Sequence, residues 1–376
     1  MDNPFIFGKI IFGNDFLDRE KEQERLKGNI LSGINSMMVS PRRWGKSSLL
    51  RQVAERIQHE DSTIKFCFID MFNIRKEEDF YAQLVTSVLK SGSDRWEKWM
   101  DDAKQFLKGL IPRFNLGIDP TNDFSVSLDW KEVKKNPDEI LNLAEIISVK
   151  KKIKLVICID EFQNLGFFDE PLEFQKTLRA HWQLHKNAVY VLLGSRRHML
   201  IDLFNNPSMP FYRFGDLVML EKIPAEFWPL FISERFARSG KKFPASLAAQ
   251  IPETVENHPY YVQYLSHEIW NITDKEVTQE VIDAAITNLI EQNNYLFQMQ
   301  TDNLTNTQVA FLKALSDGVT SFTSMDTLKK FDLGSVSNIR RIREALIQKE
   351  IIDIFRGKPE FLDPLYKLWF LKNFLN

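Results

Sequence analysis

With two cysteines in 376 residues the chain cannot build a disulfide framework, and both lie inside apolar runs that read as buried strands (Phe66-Cys67-Phe68-Ile69 and Val156-Ile157-Cys158-Ile159). Thiols so placed are core fillers of a protein in a reducing compartment, not redox or metal groups. An excess of either charge is also missing. The 49 Lys and Arg stand against 51 Asp and Glu, a formal charge of −2, which excludes a globally basic nucleic-acid binder and an acidic disordered chain but not a local patch. Glycine and proline number only 15 each, so low-complexity and fibrous classes drop out. No apolar run approaches the roughly 18 residues a membrane helix needs, and the basic-then-apolar order of a signal peptide is absent. No membrane partner is expected, and the expected location is the cytoplasm. No internal repeat marks a solenoid.

What is present is 44% apolar residues, 30 of the residues being Phe, in a chain long enough for two or three domains at about 150 residues each. Short β-rich runs at 37–39, 64–71, 155–160, 189–194 and near 217–220 alternate with helical patterns at 46–58, 77–90, 137–148 and 171–184. That alternation is the pattern of a parallel sheet with crossover helices. The expected fold class is therefore α/β, with a core over residues 1–222. Residues 112–130 break the rhythm by alternating around Asp119-Pro120-Thr121-Asn122, which predicts an inserted hairpin. Residues 223–302 are helical throughout and read as a lid. Residues 303–376 show three helical patterns, then Ile351–Phe355 and a Gly357 turn, the layout of a winged helix.

The chemistry starts at Ser40-Pro41-Arg42-Arg43-Trp44-Gly45-Lys46-Ser47, which fits the phosphate-loop template at every fixed position but the first, where Ser replaces Gly. It leaves a short apolar strand and enters a helix. In that setting backbone amides of the loop and helix start, through Ser48, converge on phosphates, the Lys46 ammonium bridges the terminal ones, and the Ser47 hydroxyl ligates Mg²⁺. The second motif is Val156-Ile157-Cys158-Ile159-Asp160-Glu161, a buried strand ending in two carboxylates. At the carboxyl end of a central strand Asp160 would hold the Mg²⁺ and Glu161 would polarise the attacking water. The third is Leu193-Gly194-Ser195-Arg196: either Ser195 or Arg196 reaches a γ-phosphate, or the strand end is simply solvated by basic groups.

Taken with Phe16-Leu17-Asp18-Arg19-Glu20, Pro210-Phe211-Tyr212-Arg213, His258-Pro259-Tyr260-Tyr261 and Asp363-Pro364-Leu365-Tyr366, these motifs make the sequence resemble the archaeal-type ATPase family, within the STAND-type AAA+ NTPases. The likeness spans nearly the whole chain. It implies a P-loop AAA+-like sheet domain, a helical lid and a winged helix, with ATP or ADP and Mg²⁺ as cofactors and the nucleotide between sheet domain and lid. It also implies that Asp18, Arg19 and Pro259 border the adenine and that Arg196, with Lys46 and Glu161, belongs to the catalytic set. Arg213 would be an arginine acting across a subunit interface or tying down the lid. Two positions depart from the family pattern: Ser40 stands for Gly, and Asn257-His258 replaces a Gly-x pair before Pro259.

Other signals carry less. His181 and His185 have helical zinc spacing but no Glu after the first His, and read as an exposed helix face. Lys150-Lys151-Lys152 with Lys154 reads as a solvated helix end that suits the helix dipole. The last 74 residues hold 11 Lys and Arg against 8 Asp and Glu, and there Arg340, Arg341, Arg343, Arg356 and Lys358 are candidate DNA contacts. Docking on a partner protein, or self-association, is the competing use of that domain. The sequence thus predicts an ATP-hydrolysing switch whose nucleotide state repositions lid and winged helix, with a nucleotide-gated DNA-binding or scaffold module of little turnover as the alternative.

Overall fold

The five apolar runs of the first 220 residues form one parallel sheet. β1 (Ser36–Val39), β2 (Ile64–Asp70), β3 (Lys154–Asp160), β4 (Ala188–Gly194) and β5 (Asp216–Met219) lie in the order β2-β3-β4-β1-β5. In this computed structural model, which describes residues 2–11, 13–92, 130–135, 137–355 and 357–375, the chain divides into two units, Ile10–Glu221 and Met1–Lys9 with Lys222–Asn376. The expected hairpin at 112–130 lies, but for Trp130, outside the described residues, as does Arg356.

The central strands are almost continuously apolar because helices cover both faces of a parallel sheet. All seven residues of β4 are buried, and so are the five central residues of β3. The core around them is aromatic: Trp182 stacks on Tyr190 at 4.2 Å between centroids, and Phe162, Phe204 and Phe211 cluster beside it. Register places Asp70 opposite Asp160 and Val39 opposite Gly194, so the carboxyl ends of β1, β2, β3 and β4 share one edge. The connections diverge at β1, with β4, β3 and β2 to one side and β5 to the other, which makes that edge the topological switch point where open parallel sheets leave a crevice.

The helices α1 (Glu20–Leu31), α2 (Lys46–Glu60) and α3 (Glu77–Gly92) come before residue 93 in the chain. The helix expected at 137–148 is instead two, Asp138–Leu141 and Leu143–Lys151. They part at Asn142, whose short polar side chain competes with the helix backbone and whose Oδ1 lies 3.0 Å from His185 Nε2. The basic run does more than meet solvent. Lys154 donates to the Ile30 and Leu31 carbonyls at the end of α1, and Lys151 to the Gly92 carbonyl at the end of α3. Cations there satisfy orphan helix carbonyls and suit the negative dipole end.

The second unit is helical, led by Trp228–Arg238, Pro259–Ile272 and Gln279–Asp302. Residues 2–9 pack here and not on the sheet, because their aromatics find partners: Phe5 is buried beside Phe236, and Phe7 stacks on Tyr264 at 4.3 Å. Helices Asn306–Ser316, Met325–Lys330 and Val336–Gln348 then lead to an antiparallel ribbon of β6 (Ile352–Phe355) and β7 (Lys358–Phe361). A final helix, Pro364–Phe374, buries Tyr366 and Trp369 against Phe297. Asp363 caps it, accepting from the Leu365 and Tyr366 amides and from the Tyr261 hydroxyl. Among the described residues no helix is long and apolar enough to cross a membrane.

Candidate nucleotide site

At the switch-point edge the loop Ser40–Gly45 joins β1 to α2. Gly45 has φ 95°, a left-handed conformation that glycine adopts without cost, and it lets α2 begin with its first amides turned into the loop. Ser40 is buried and outside the left-handed region, so a Cβ there carries no backbone penalty. Its amide donates to the Gly194 carbonyl at 3.5 Å, which continues the β1–β4 pairing into the loop.

Lys46 is only 6% exposed and donates to the carbonyls of Ser40 (3.3 Å) and Pro41 (3.5 Å). Burial lowers its pKa, against the pull of Asp160 and Glu161, which favour its charge. The next residue makes the decisive contact: Ser47 Oγ donates to Asp160 Oδ2 at 2.7 Å, joining the loop helix to the end of β3. Asp160 Oδ1 accepts the Glu161 amide at 2.9 Å, which leaves the two adjacent carboxylates with different partners. Glu161 Oε2 accepts from Ser195 Oγ at 2.7 Å and from Gln163 Nε2, and Ser195 Oγ accepts from Arg42 Nε at 3.4 Å. Loop, β3 end and β4 end thus form one hydrogen-bonded set.

A hydroxyl and a carboxylate oxygen in contact are hard donors of the kind Mg²⁺ takes, so Ser47 and Asp160 fit that ion by the chemistry of the donor set. Asp70, one strand further out, adds a third carboxylate; burial raises its pKa, and the charges of Asp160 and Glu161 raise it further. Sequence reading passed over Asp70 although β2 ends in Ile69-Asp70 as β3 ends in Ile159-Asp160. The cysteines are inert by comparison. Both are buried, and burial pushes the Cys67 thiol up to about 12.

The remaining expected residues are placed less uniformly. The segment before Asp18 and Arg19 runs along α2, with the Ile11 amide on Ser48 Oγ (3.0 Å) and the Gly13 amide on Gln52 Oε1 (3.1 Å). Arg19 itself is buried, its guanidinium held by Glu22 and by the Glu221 carbonyl. Arg196 precedes the helix Arg197–Asn205, its guanidinium 6.0 Å from the Phe167 ring centroid. Arg213 is exposed and lies before β5, at the amino end of the sheet and so opposite the phosphate loop. Pro259 opens a helix of the other unit, after Glu256 and Asn257 at φ 52° and 57°.

No protein-family model and no curated protein sequence matches the chain. Among solved structures, the Walker-type ATPase PABY2304 of Pyrococcus abyssi aligns with a TM-score of 0.66 at 17% identity, covering 95% of this chain and 96% of that one. The chain has the fold of the Walker-type ATPases. The Aeropyrum pernix ORC2 protein in its ADP form aligns with a TM-score of 0.51 at 12% identity, over 95% of each chain. In this fold the loop, Asp160, Glu161 and Ser195 occupy the sheet edge described above.

The histidine pair does not form an exposed helix face. His181 and His185 both reach Asn142, and His185 lies 2.8 Å from the Tyr190 hydroxyl, with burial lowering its pKa to about 4. At the far end of the chain the candidate DNA contacts divide. Arg343 and Lys358 line a cleft of about 350 Å³ between the 318–323 loop and the ribbon turn, and Arg340 joins Arg343 along an adjoining groove of about 450 Å³. Arg340 is exposed and ion-paired with Glu344, whereas Arg341 lines neither groove.

Proposed function

We propose that the protein binds ATP and hydrolyses it at the edge formed by Ser40–Ser48, Asp160, Glu161 and Ser195, and that the nucleotide state acts as a switch. The observation that supports this most directly is the Ser47–Asp160 contact, since it joins two motifs 113 residues apart as a nucleotide and its metal require. Amides of the loop and of α2 would bind the phosphates, with Lys46 as the fixed positive charge among them. Ser47 and Asp160 are the residues that would hold Mg²⁺, which when bound neutralises phosphate charge. Glu161, kept in place by Ser195, would accept the proton of the attacking water. Arg196 and Ser195 are candidates to meet the γ-phosphate. Arg213, opposite the loop, is suited to act on a neighbouring subunit and not in cis.

In this reading residues 10–221 form the ATPase core, narrowing the expected 1–222 because residues 2–9 pack with the helical unit, 223–302 a lid and 303–376 a winged helix, and hydrolysis repositions the latter two in a cytoplasmic protein. A second use is DNA binding through Arg340, Arg343 and Lys358, favoured by their sharing adjoining grooves. A phosphate-release assay with Glu161→Gln tests the main reading. Turnover should fall at least about a hundredfold while ADP binding is retained. Equal turnover in both proteins, or none in the wild type, refutes hydrolysis at this site and leaves the nucleotide-gated binding module.

A further inference from the structure

We infer that Gln163 is a positioning residue for Glu161 and is kept for that purpose against the stability of the fold; the inference rests on the ATPase reading above. Gln163 lies in the 3₁₀ turn Phe162–Phe167 that follows the left-handed Glu161, and that turn folds its amide back onto the Glu161 carboxylate. Both donors, Gln163 Nε2 and Ser195 Oγ, take the same oxygen, Oε2. Two donors on one oxygen hold the carboxylate plane fixed, and among the described residues no hydrogen bond falls on Oε1, which is thus available to a water.

The other half of the amide is costly. Gln163 is 5% exposed, and its Oε1 is buried with no hydrogen-bond partner among the described residues. An orphaned buried acceptor is unfavourable, and a methionine would fill nearly the same volume without it. The seat itself also has to be made: it exists because residue 194 is glycine. A Cβ on Gly194 would stand 2.2 Å from Gln163 Oε1 and 2.4 Å from a Leu200 methyl, and Gly194 has no positive φ to explain its presence otherwise. Close approach of these two side chains, Gln163 the nearer, is the remaining reason for a glycine at the end of this strand. A residue that costs stability, seated by a second special residue, and spending its amide N–H on the one carboxylate placed to activate water, is there for the geometry of that carboxylate.

The test uses the full chain with Gln163→Met, measured by steady-state phosphate release from Mg·ATP, by ADP affinity and by thermal unfolding. The expected result is a kcat lower by about tenfold to a hundredfold, as for small misplacements of a reacting group. KM and ADP affinity should stay within about twofold, because the hydrogen bond of Gln163 among the described residues goes to Glu161 and not to the phosphate loop. The melting temperature should be unchanged or higher. A kcat within twofold of wild type, while Glu161→Gln abolishes turnover, overturns this inference alone. A raised kcat overturns it too, since Gln163 would then restrain Glu161. A lower melting temperature, or failure to fold, shows Gln163 to be structural. A wild type that releases no phosphate overturns the ATPase reading and this inference together.

Discussion

Replacing Gly194 by alanine tests how the end of β4 is packed. The added methyl would meet Gln163 Oε1 at 2.2 Å and the two Leu200 methyls at 2.4 and 3.2 Å. Each of these is the far end of a flexible side chain, but both residues are buried, Leu200 completely, so neither can swing into solvent. Overpacking of this kind costs about 1–3 kcal/mol, offset by about 0.4–1 kcal/mol from the stiffer unfolded chain. For a cooperative unit of roughly 200 residues the net loss, up to about 2.6 kcal/mol, corresponds to a melting temperature lower by up to about 10 °C. Turnover should fall with it, because the methyl evicts the amide that holds Glu161. The double variant Gln163→Ala with Gly194→Ala separates the two effects. Removing the Gln163 side chain relieves the 2.2 Å contact, so the pair should melt above the sum of the single effects by about 0.5–3 kcal/mol of coupling. Its turnover should not recover, since the donor is still missing. Thermal unfolding and phosphate release on the four proteins decide it. Additive stabilities, or a Gly194→Ala protein with wild-type melting and turnover, would refute the packing argument.

Two further outcomes follow from other parts of the molecule. His185 has a folded pKa of about 4 against an ordinary value near 6.5, because burial disfavours its charged form. Its folded pKa is the depressed one, so the unfolded chain takes up the proton first and stability falls as pH drops from about 6.5 towards 4. The loss at pH 5 has a ceiling of about 2 kcal/mol, reduced by the solvent-facing part of the ring. His185→Gln should flatten that slope in urea titrations, and an unaltered slope would assign the acid sensitivity elsewhere. For the cationic grooves, Arg343→Ala and Arg340→Ala should each weaken duplex binding and reduce the salt slope by about one, whereas Arg341→Ala, off both grooves, should do neither. Equal effects of all three would show that the grooves do not define the contact surface.

The strands were legible in the sequence almost to the residue, since a parallel strand covered on both faces must be an uninterrupted apolar run. β3, with five consecutive buried residues, is the plainest case. Asp160, Glu161, Lys46 and Ser47 were legible because their chemistry fixes their spacing from a strand end or helix start. What escaped depended on contacts between distant residues. Gln163 looks like one polar residue in a turn until Gly194 is placed beside it, and Asn142 looks like helix interior until the histidines reach it. The N-terminal residues follow the sheet unit's chain but not its packing, because Phe5 and Phe7 have their aromatic partners at Phe236 and Tyr264, far along the sequence.

The two departures from the family pattern are explained by backbone conformation. Left-handed residues at this site are Arg43 (φ 64°), Gly45 (φ 95°) and Glu161 (φ 52°), and Ser40 is not among them. A serine where the phosphate-loop template has glycine therefore loses nothing in backbone energy, and its hydroxyl bonds the Pro41 carbonyl at 3.1 Å. Asn257, the other departure, does sit at φ 57°, but asparagine is the side chain that best tolerates that region after glycine. The strain that remains falls on Arg43 and on Glu161, each a long, charged residue held left-handed at a cost of about 1–2 kcal/mol, Glu161 at the end of β3. A neighbouring glycine would adopt that backbone freely, but it could not accept the hydrogen bonds of Ser195 and Gln163. On the proposed ATPase reading, the left-handed position is occupied by a carboxylate because that carboxylate activates water, and the surrounding hydrogen bonds hold it in a conformation its backbone disfavours.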